Sequence, residues 1–187
     1  VNLSAFETFF EEKRPFFTEG SPVFLRFGRS GASEYTTFFY PEPQLFDSRR
    51  IGRAPQDRAS GEFVDTPTAT TILGAAKLVG RTRSGWNVGL LDTVTGREYA
   101  RVATGSSRDQ VEVEPLTNYL ITRLSRDFRN GKSAVGAIGT SVAREGGIAT
   151  ALELRSMALS GGVDTRHRFD EDRWELQAFL LGTRIHG

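Results

Sequence analysis

Few side chains in this sequence are of types that do covalent chemistry. There are two histidines, His167 and His186, and no cysteine. Without cysteine there are no disulfides, no thiolate metal sites and no cysteine nucleophile. Asp164 and His167 stand three apart, which on a strand places them on opposite faces. They make a poor acid–base dyad. The expectation is a His167 that is hydrogen-bonded or lines an interior, not a catalytic one. No H-E-x-x-H occurs, so a metal site would need carboxylates to complete it. No G-x-S-x-G elbow, phosphate loop or dinucleotide fingerprint is present either. Glu11 and Glu12 are adjacent carboxylates of the type glycosidases use, but neighbouring acids on a helix point apart. Asn2-Leu3-Ser4 matches a glycosylation acceptor, a tripeptide common by chance. No catalytic residue, cofactor or metal is assigned.

Binding chemistry is better represented. Of the 24 basic residues only Lys13, Lys77 and Lys132 are lysines. Arginine holds carboxylates in a fixed two-pronged geometry and suits paired charges in confined space. Codon usage in a GC-rich genome gives the same bias. Arg49, Arg50 and Arg53 cluster in a loop-like stretch; they could hold an anion or pair with nearby acids. With a net charge of +1 the chain has no basic excess for a nucleic-acid surface. Ten of the 14 phenylalanines fall within residues 1–46, interleaved with the charges of Glu11-Glu12-Lys13-Arg14.

The elements that must position these residues are read from periodicity. Ser4 and Glu7 form a capping-box pattern, predicting a short N-terminal helix over about residues 5–12 that Pro15 ends. Val23-Phe24-Leu25-Arg26-Phe27 alternates like a strand. Residues 41–70 read as a long loop with room for short strands. From residue 70 a period of two dominates. Three tight turns, Arg83-Ser84-Gly85, Asn130-Gly131-Lys132 and Asp170-Glu171-Asp172, each join two long β-like runs. Longer, more polar connections separate these hairpins. Ile72, Gly74, Ala76, Leu78 and Gly80 share a face opposite Lys77 and Arg81. Leu120, Thr122, Leu124 and Phe128 oppose Arg123, Ser125 and Asp127, with Arg126 out of place on the apolar side. Leu159, Gly161 and Val163 oppose Ser160, Asp164, Arg166 and Arg168, and Trp174, Leu176, Ala178 and Leu180 oppose Glu175 and Gln177. The run Ser133 to Arg144 is small-residue-rich and ambiguous.

Two architectures fit this alternation. In a soluble sandwich the apolar face points into a core; in a transmembrane barrel it points to lipid and the polar face lines the interior. Three features favour the barrel. The strands exceed the ~5–6 residues usual in globular sheets and reach the ~9–11 needed to cross a bilayer. Arg123 and Lys77 sit at mid-strand. Trp86, Phe128 and Trp174 lie beside the turns, where an interfacial aromatic girdle belongs. No apolar run approaches the ~20 residues of a transmembrane helix, and no signal peptide is visible. The fold expected is all-β: an antiparallel meander of long hairpins, a segment of an outer-membrane-type β-barrel with a short N-terminal helix. Residue 1 is valine and the chain stops in a strand-like run, so a piece of a longer protein is expected, an open sheet that does not close and that associates in isolation.

Several runs are similar to the DUF5916 family. The most specific is Val1-Asn2-Leu3-Ser4-Ala5-Phe6-Glu7-Thr8-Phe9-Phe10-Glu11-Glu12-Lys13-Arg14-Pro15-Phe16-Phe17 with Thr18-Glu19-Gly20. Ser48-Arg49-Arg50-Ile51-Gly52-Arg53, Thr70 to Leu78, Val113 to Tyr119, and Gly161-Gly162-Val163-Asp164 with His167-Arg168-Phe169 also resemble it. The resemblance implies a large exported bacterial protein: an upstream domain like carbohydrate-binding family 9, then a C-terminal region that looks like an outer-membrane barrel. This chain would belong to the C-terminal region. Sugar binding by the upstream domain therefore does not carry over to these residues, and the family offers no catalytic residue to transfer.

The function expected is the barrel segment of a surface binding or uptake protein, with carbohydrate as a candidate ligand. A soluble periplasmic β-rich binding module is the alternative, and a carbohydrate-active hydrolase a third. Expected partners are outer-membrane lipid, the remainder of a longer chain and a glycan, with no nucleic acid. Candidate ligand contacts, in the lumen or a constriction of it, are Phe9, Phe10, Glu12, Arg14, Phe16, Arg49, Arg50, Arg123, Asp164 and Arg166. The aromatic segment 5–19 could fold into the lumen and stack on sugar rings, or its phenylalanines could pack on the wall as a small core.

Overall fold

Alternating polar and apolar residues separated by tight turns produce antiparallel hairpins, and the protein is all-β. The computed structural model describes residues 12–28, 44–145 and 154–186. Its strands are β1 (Phe63–Asp65), β2 (Ile72–Arg81), β3 (Trp86–Thr95), β4 (Glu98–Thr104), β5 (Ser107–Glu114), β6 (Thr117–Phe128), β7 (Ser133–Arg144), β8 (Met157–Phe169) and β9 (Trp174–His186). Six of them form one open antiparallel sheet in the order β2-β3-β6-β7-β8-β9. Each of its strands is 10 to 13 residues long. The three tight turns join β2 to β3, β6 to β7 and β8 to β9, so all three lie at one end of the sheet. In the last, Asp170, Glu171 and Asp172 all take left-handed backbone, with φ of 53°, 55° and 68°.

The connection from β3 to β6 is not a plain polar loop. It folds as the hairpin β4–β5, which pairs with β1 in a separate sheet of order β1-β4-β5. Ala100, Val102 and Val113 are its buried apolar residues.

The N-terminal part departs from the sequence reading in two places, at Pro15 and at Val23–Phe27. The helix expected at 5–12 lies outside the described residues except for Glu12, which is not helical. Pro15 begins a short helix, α1 (Pro15–Thr18), instead of ending one; its fixed φ suits the first helical turn, where its missing N–H is not needed. Val23–Phe27 is not a strand. Pro22 starts a second turn of helix, α2 (Pro22–Leu25), and Phe24 and Phe27, three apart, both become buried. A 3-10 turn, Ser48–Arg50, follows, with the Asp47 side chain accepting from the Arg49 N–H.

These segments cover one face of the large sheet, which we call inner. Phe17, Phe24 and Ile51 pack on Leu91 of β3 and on Tyr119 and Ile121 of β6, with Phe46, Ile72, Val79 and Val142 around them. Among the described residues, Phe17, Phe24 and Phe46 thus form a small core against the sheet. Ile72 belongs to this core and not, as alternation suggested, to the face of Gly74 and Leu78. A bulge between Ile72 and Gly74 adds one residue and reverses the facing.

β6 separates the two faces as expected. Arg123 is 4% exposed on the inner side and Leu124 43% exposed on the outer side. β7, ambiguous in sequence, presents Gly136 and Ile138 inward and Val135 and Ala137 outward, fixed by its register with β6.

Candidate functional site

Inner-face chemistry sits at the short-turn end. Arg123 on β6 and Asp164 on β8 meet across the intervening β7 in a two-pronged pair, Nη1 to Oδ1 at 2.5 Å and Nη2 to Oδ2 at 2.8 Å. The residue between them is Gly136. A Cβ there would stand 2.7 Å from both guanidinium nitrogens and from Asp164 Oδ1, so only glycine lets the pair close. Phe27 lies over the Arg123 guanidinium, 5.6 Å from ring centre to Cζ, and edge-on to Phe179 of β9 at 6.1 Å. Phe27 reaches this seat because β8 carries Gly162, where a Cβ would be 2.6 Å from the ring. The Gly28 N–H points to Asp164 Oδ2 at 3.4 Å. The pair thus ties β6 to β8 across β7 and docks the end of the covering segment.

Asp127 on β6 is held by Arg81 of β2 at 3.5 Å and by the Asn87 side chain at 3.3 Å. Together with Arg26 and Arg166, these groups enclose a cleft of about 270 Å³. Arg166 Nη2 donates to the Gly131 carbonyl in the β6–β7 turn at 3.1 Å.

A second cluster fastens the covering segment to itself. Arg14 donates to the carbonyls of Ile51 at 2.7 Å and Ser48 at 2.8 Å. Its Nε and Nη2 grip Glu12 at 2.9 and 2.6 Å, and the Ser48 hydroxyl donates to the same carboxylate at 2.7 Å. Arg14 also stacks on Phe17 at 4.3 Å. Lys77, the mid-strand charge of β2, donates to the carbonyls of Phe16 and Glu19 around the end of α1 and lies over the Phe16 ring at 4.8 Å.

The hydrogen bonds from Arg14, with Ser48 behind them, outweigh burial and hold the Glu12 carboxyl at about 2 instead of 4.5. A lowered folded value stabilises the docked segment fully above pH 4.5, and that contribution is lost as pH falls through about 2. Acid-protease cleavage within residues 12–28 is expected to rise across that window. Glu12→Gln should show raised cleavage already at pH 4.5. A flat wild-type profile would count against the clip.

The expected contacts therefore do not form one site. Arg123, Asp164 and Arg166 come together in the cleft. Glu12, Arg14 and Phe16 belong to the clip and its surroundings. Phe9 and Phe10 lie outside the described residues. Arg50 lines a different cleft, with Tyr119 and Ser160, at the other end of the inner face, and Arg49 is exposed on the 3-10 turn. Arg53 leaves this group to pair with buried Glu114 at 3.3 Å. Sequence reasoning missed Arg26, Arg81 and Asp127 as cleft residues: strand register brings Arg81 and Asp127 beside Arg123, and the docking of α2 brings Arg26.

His167 is hydrogen-bonded, and it faces outward and not into an interior. Ser133 Oγ is 2.6 Å from Nδ1 and Arg129 Nη1 is 3.1 Å from Nε2. Arginine only donates, so Nε2 accepts and Nδ1–H donates to the serine. Activation of a serine nucleophile needs the opposite polarity. Among the described residues no group of three or more histidine or acidic side chains is placed to hold a metal.

Residues 1–156 match the family model described as Domain of unknown function (DUF5916). No curated protein and no solved structure matches the chain. The match takes in α1, α2, the small sheet and β2 through β7 with their joining turns, and on that ground the chain belongs to the DUF5916 family.

Proposed function

We propose that this chain forms part of the wall of an outer-membrane β-barrel in a surface binding or uptake protein, with residues 12–28 and 44–52 lying against its inner surface. The observation that carries this reading is the outer face of the large sheet, which no other described element covers. Leu78, Val163, Leu176 and Leu180 project from it, 55–73% exposed. Contiguous apolar patches of more than a few hundred Å² are rare on monomeric soluble proteins. Trp86, Phe128, Phe169 and Trp174 collect beside the short turns on the same face, as an interfacial girdle would. Arg126, the charge that breaks the apolar pattern, lies over Trp86 at 5.5 Å, so its stem covers apolar surface while its head reaches the turn end. Strands of 10–13 residues suffice to cross a bilayer with tilt. Among the described residues no helix is long and apolar enough to cross a membrane, which leaves crossing by strands untouched.

The full-length protein is expected to sediment with outer membranes and to resist carbonate extraction. Recovery as a soluble periplasmic species would assign the chain instead to a β-rich binding module. Among the described residues the phenylalanines of 12–28 offer little to a sugar ring: Phe17, Phe24 and Phe27 are buried in packing, and Phe16 lies under Lys77.

A further inference from the structure

We infer that the cleft between the docked segment and the wall binds a small solute carrying an oxyanion, a carboxylate or a phosphate. Its charged lining is Arg26 from the docked segment, Arg81, Arg123 and Arg166 from the wall, and the carboxylates Asp127 and Asp164. Arg123 is satisfied by Asp164, and Arg81 pairs with Asp127. Among the described residues that leaves a surplus of two positive charges, those of Arg26 from the docked segment and Arg166 from the wall. Arg166 supplies the second observation. Its Nε is buried with no hydrogen-bond partner among the described residues. Buried donors are seldom left unpaired in native structures; Arg166 as a whole is only half-buried, and a turn of its side chain toward an oxyanion in the cleft would give Nε its acceptor. Guanidinium forks match carboxylate and phosphate oxygens in shape as well as charge. At about 270 Å³ the cavity is near the lower end of the ~300–1,000 Å³ typical of small-molecule sites. The ligand is therefore the size of a phosphate ion or an acidic monosaccharide.

This inference rests on the proposed reading only for which solutes reach the inner face; the cleft is the same in a soluble protein. The test is calorimetric titration of purified full-length protein, in detergent or in buffer according to how it is recovered. The probes are inorganic phosphate, galacturonate and, as a neutral control, galactose. Saturable binding of at least one anion, without galactose binding, is expected. Phosphate alone or galacturonate alone identifies which oxyanion the site takes. Arg26→Gln and Arg166→Gln are each expected to weaken binding about tenfold or more, with an unchanged circular dichroism spectrum. Arg26 is exposed, so its replacement remains informative even where the Arg166 variant does not fold. Binding of neither anion, or equal binding by wild type and the Arg26 variant, would overturn the inference. Neither result depends on the membrane fraction, so failure here and failure of the location test are distinct.

Discussion

Asp164→Ala is expected to destabilise the folded protein by about 3–5 kcal/mol, because it strands a buried charge. Arg123 is 4% exposed, and Asp164 takes both of its terminal nitrogens. Truncating the aspartate leaves the guanidinium in place, almost wholly buried and without its counter-charge. Phe27 over its face provides partial compensation only. Gly136→Ala should act in the same direction by a different route, since the added methyl would occupy the space where the pair meets. A double replacement, Arg123→Met with Asp164→Leu, should recover most of the loss, because exchanging a whole buried pair for apolar groups of similar size is often neutral. Urea midpoints of the full-length variants check all three. An Asp164→Ala midpoint equal to wild type would show that the pair is not holding β6, β7 and β8 together.

Leu124→Arg is expected to block assembly in the membrane, at a cost of roughly 2–4 kcal/mol near the bilayer midplane. Leu124 is 43% exposed on the outer face, four residues before Phe128 at the short-turn end, and its register partners are Val88 and Ala137. In a soluble protein the same substitution at a half-exposed site costs within about 0.5 kcal/mol. The variant therefore separates the two environments by outcome. Spin labels at positions 123 and 124 give the same answer without loss of fold: only the label at 124 should meet a lipid-soluble quencher. Equal access at both would contradict a lipid-facing Leu124.

Strands were legible where one face is apolar and the other polar over many residues. β6, β8 and β9 meet that condition, and their facing follows from residues such as Leu124 against Arg123 and Leu180 against Gln177. β7 does not. Gly136 and Gly139 are small because neighbouring side chains need the space, as Arg123 and Asp164 do over Gly136, and small residues carry no facing signal. β4 and β5 were hidden in a polar connection because Arg101, Arg108, Asp109 and Gln110 stay exposed on a narrow sheet. The run Val23–Phe27 misled because five alternating residues also fit a helical turn, and Pro22 decides between them. Arg123 and Asp164 were recognisable as polar residues facing inward. Their contact was not, since it depends on the register of three strands. The Arg14 clip was out of reach for a similar reason: two of its acceptors are backbone carbonyls, of Ser48 and Ile51, which no side-chain pattern reports.

The docking of residues 12–28 has a consequence in time. Gly28 and Asp164, which meet in the folded protein, are 136 positions apart in the chain, and the ring beside Phe27 belongs to β9. The hairpins of the wall close over short spans and form early, whereas contacts across so long a span carry a larger loop-closure cost and form late. The phenylalanine-rich segment is synthesised before the wall it rests on. Phe17 and Phe24 must stay unsatisfied until β3 and β6 are in place, and Phe27 until β8 and β9 are. During that interval the segment is the part of the chain most in need of a holding chaperone, and wall assembly, not its own propensity, sets the moment at which it folds.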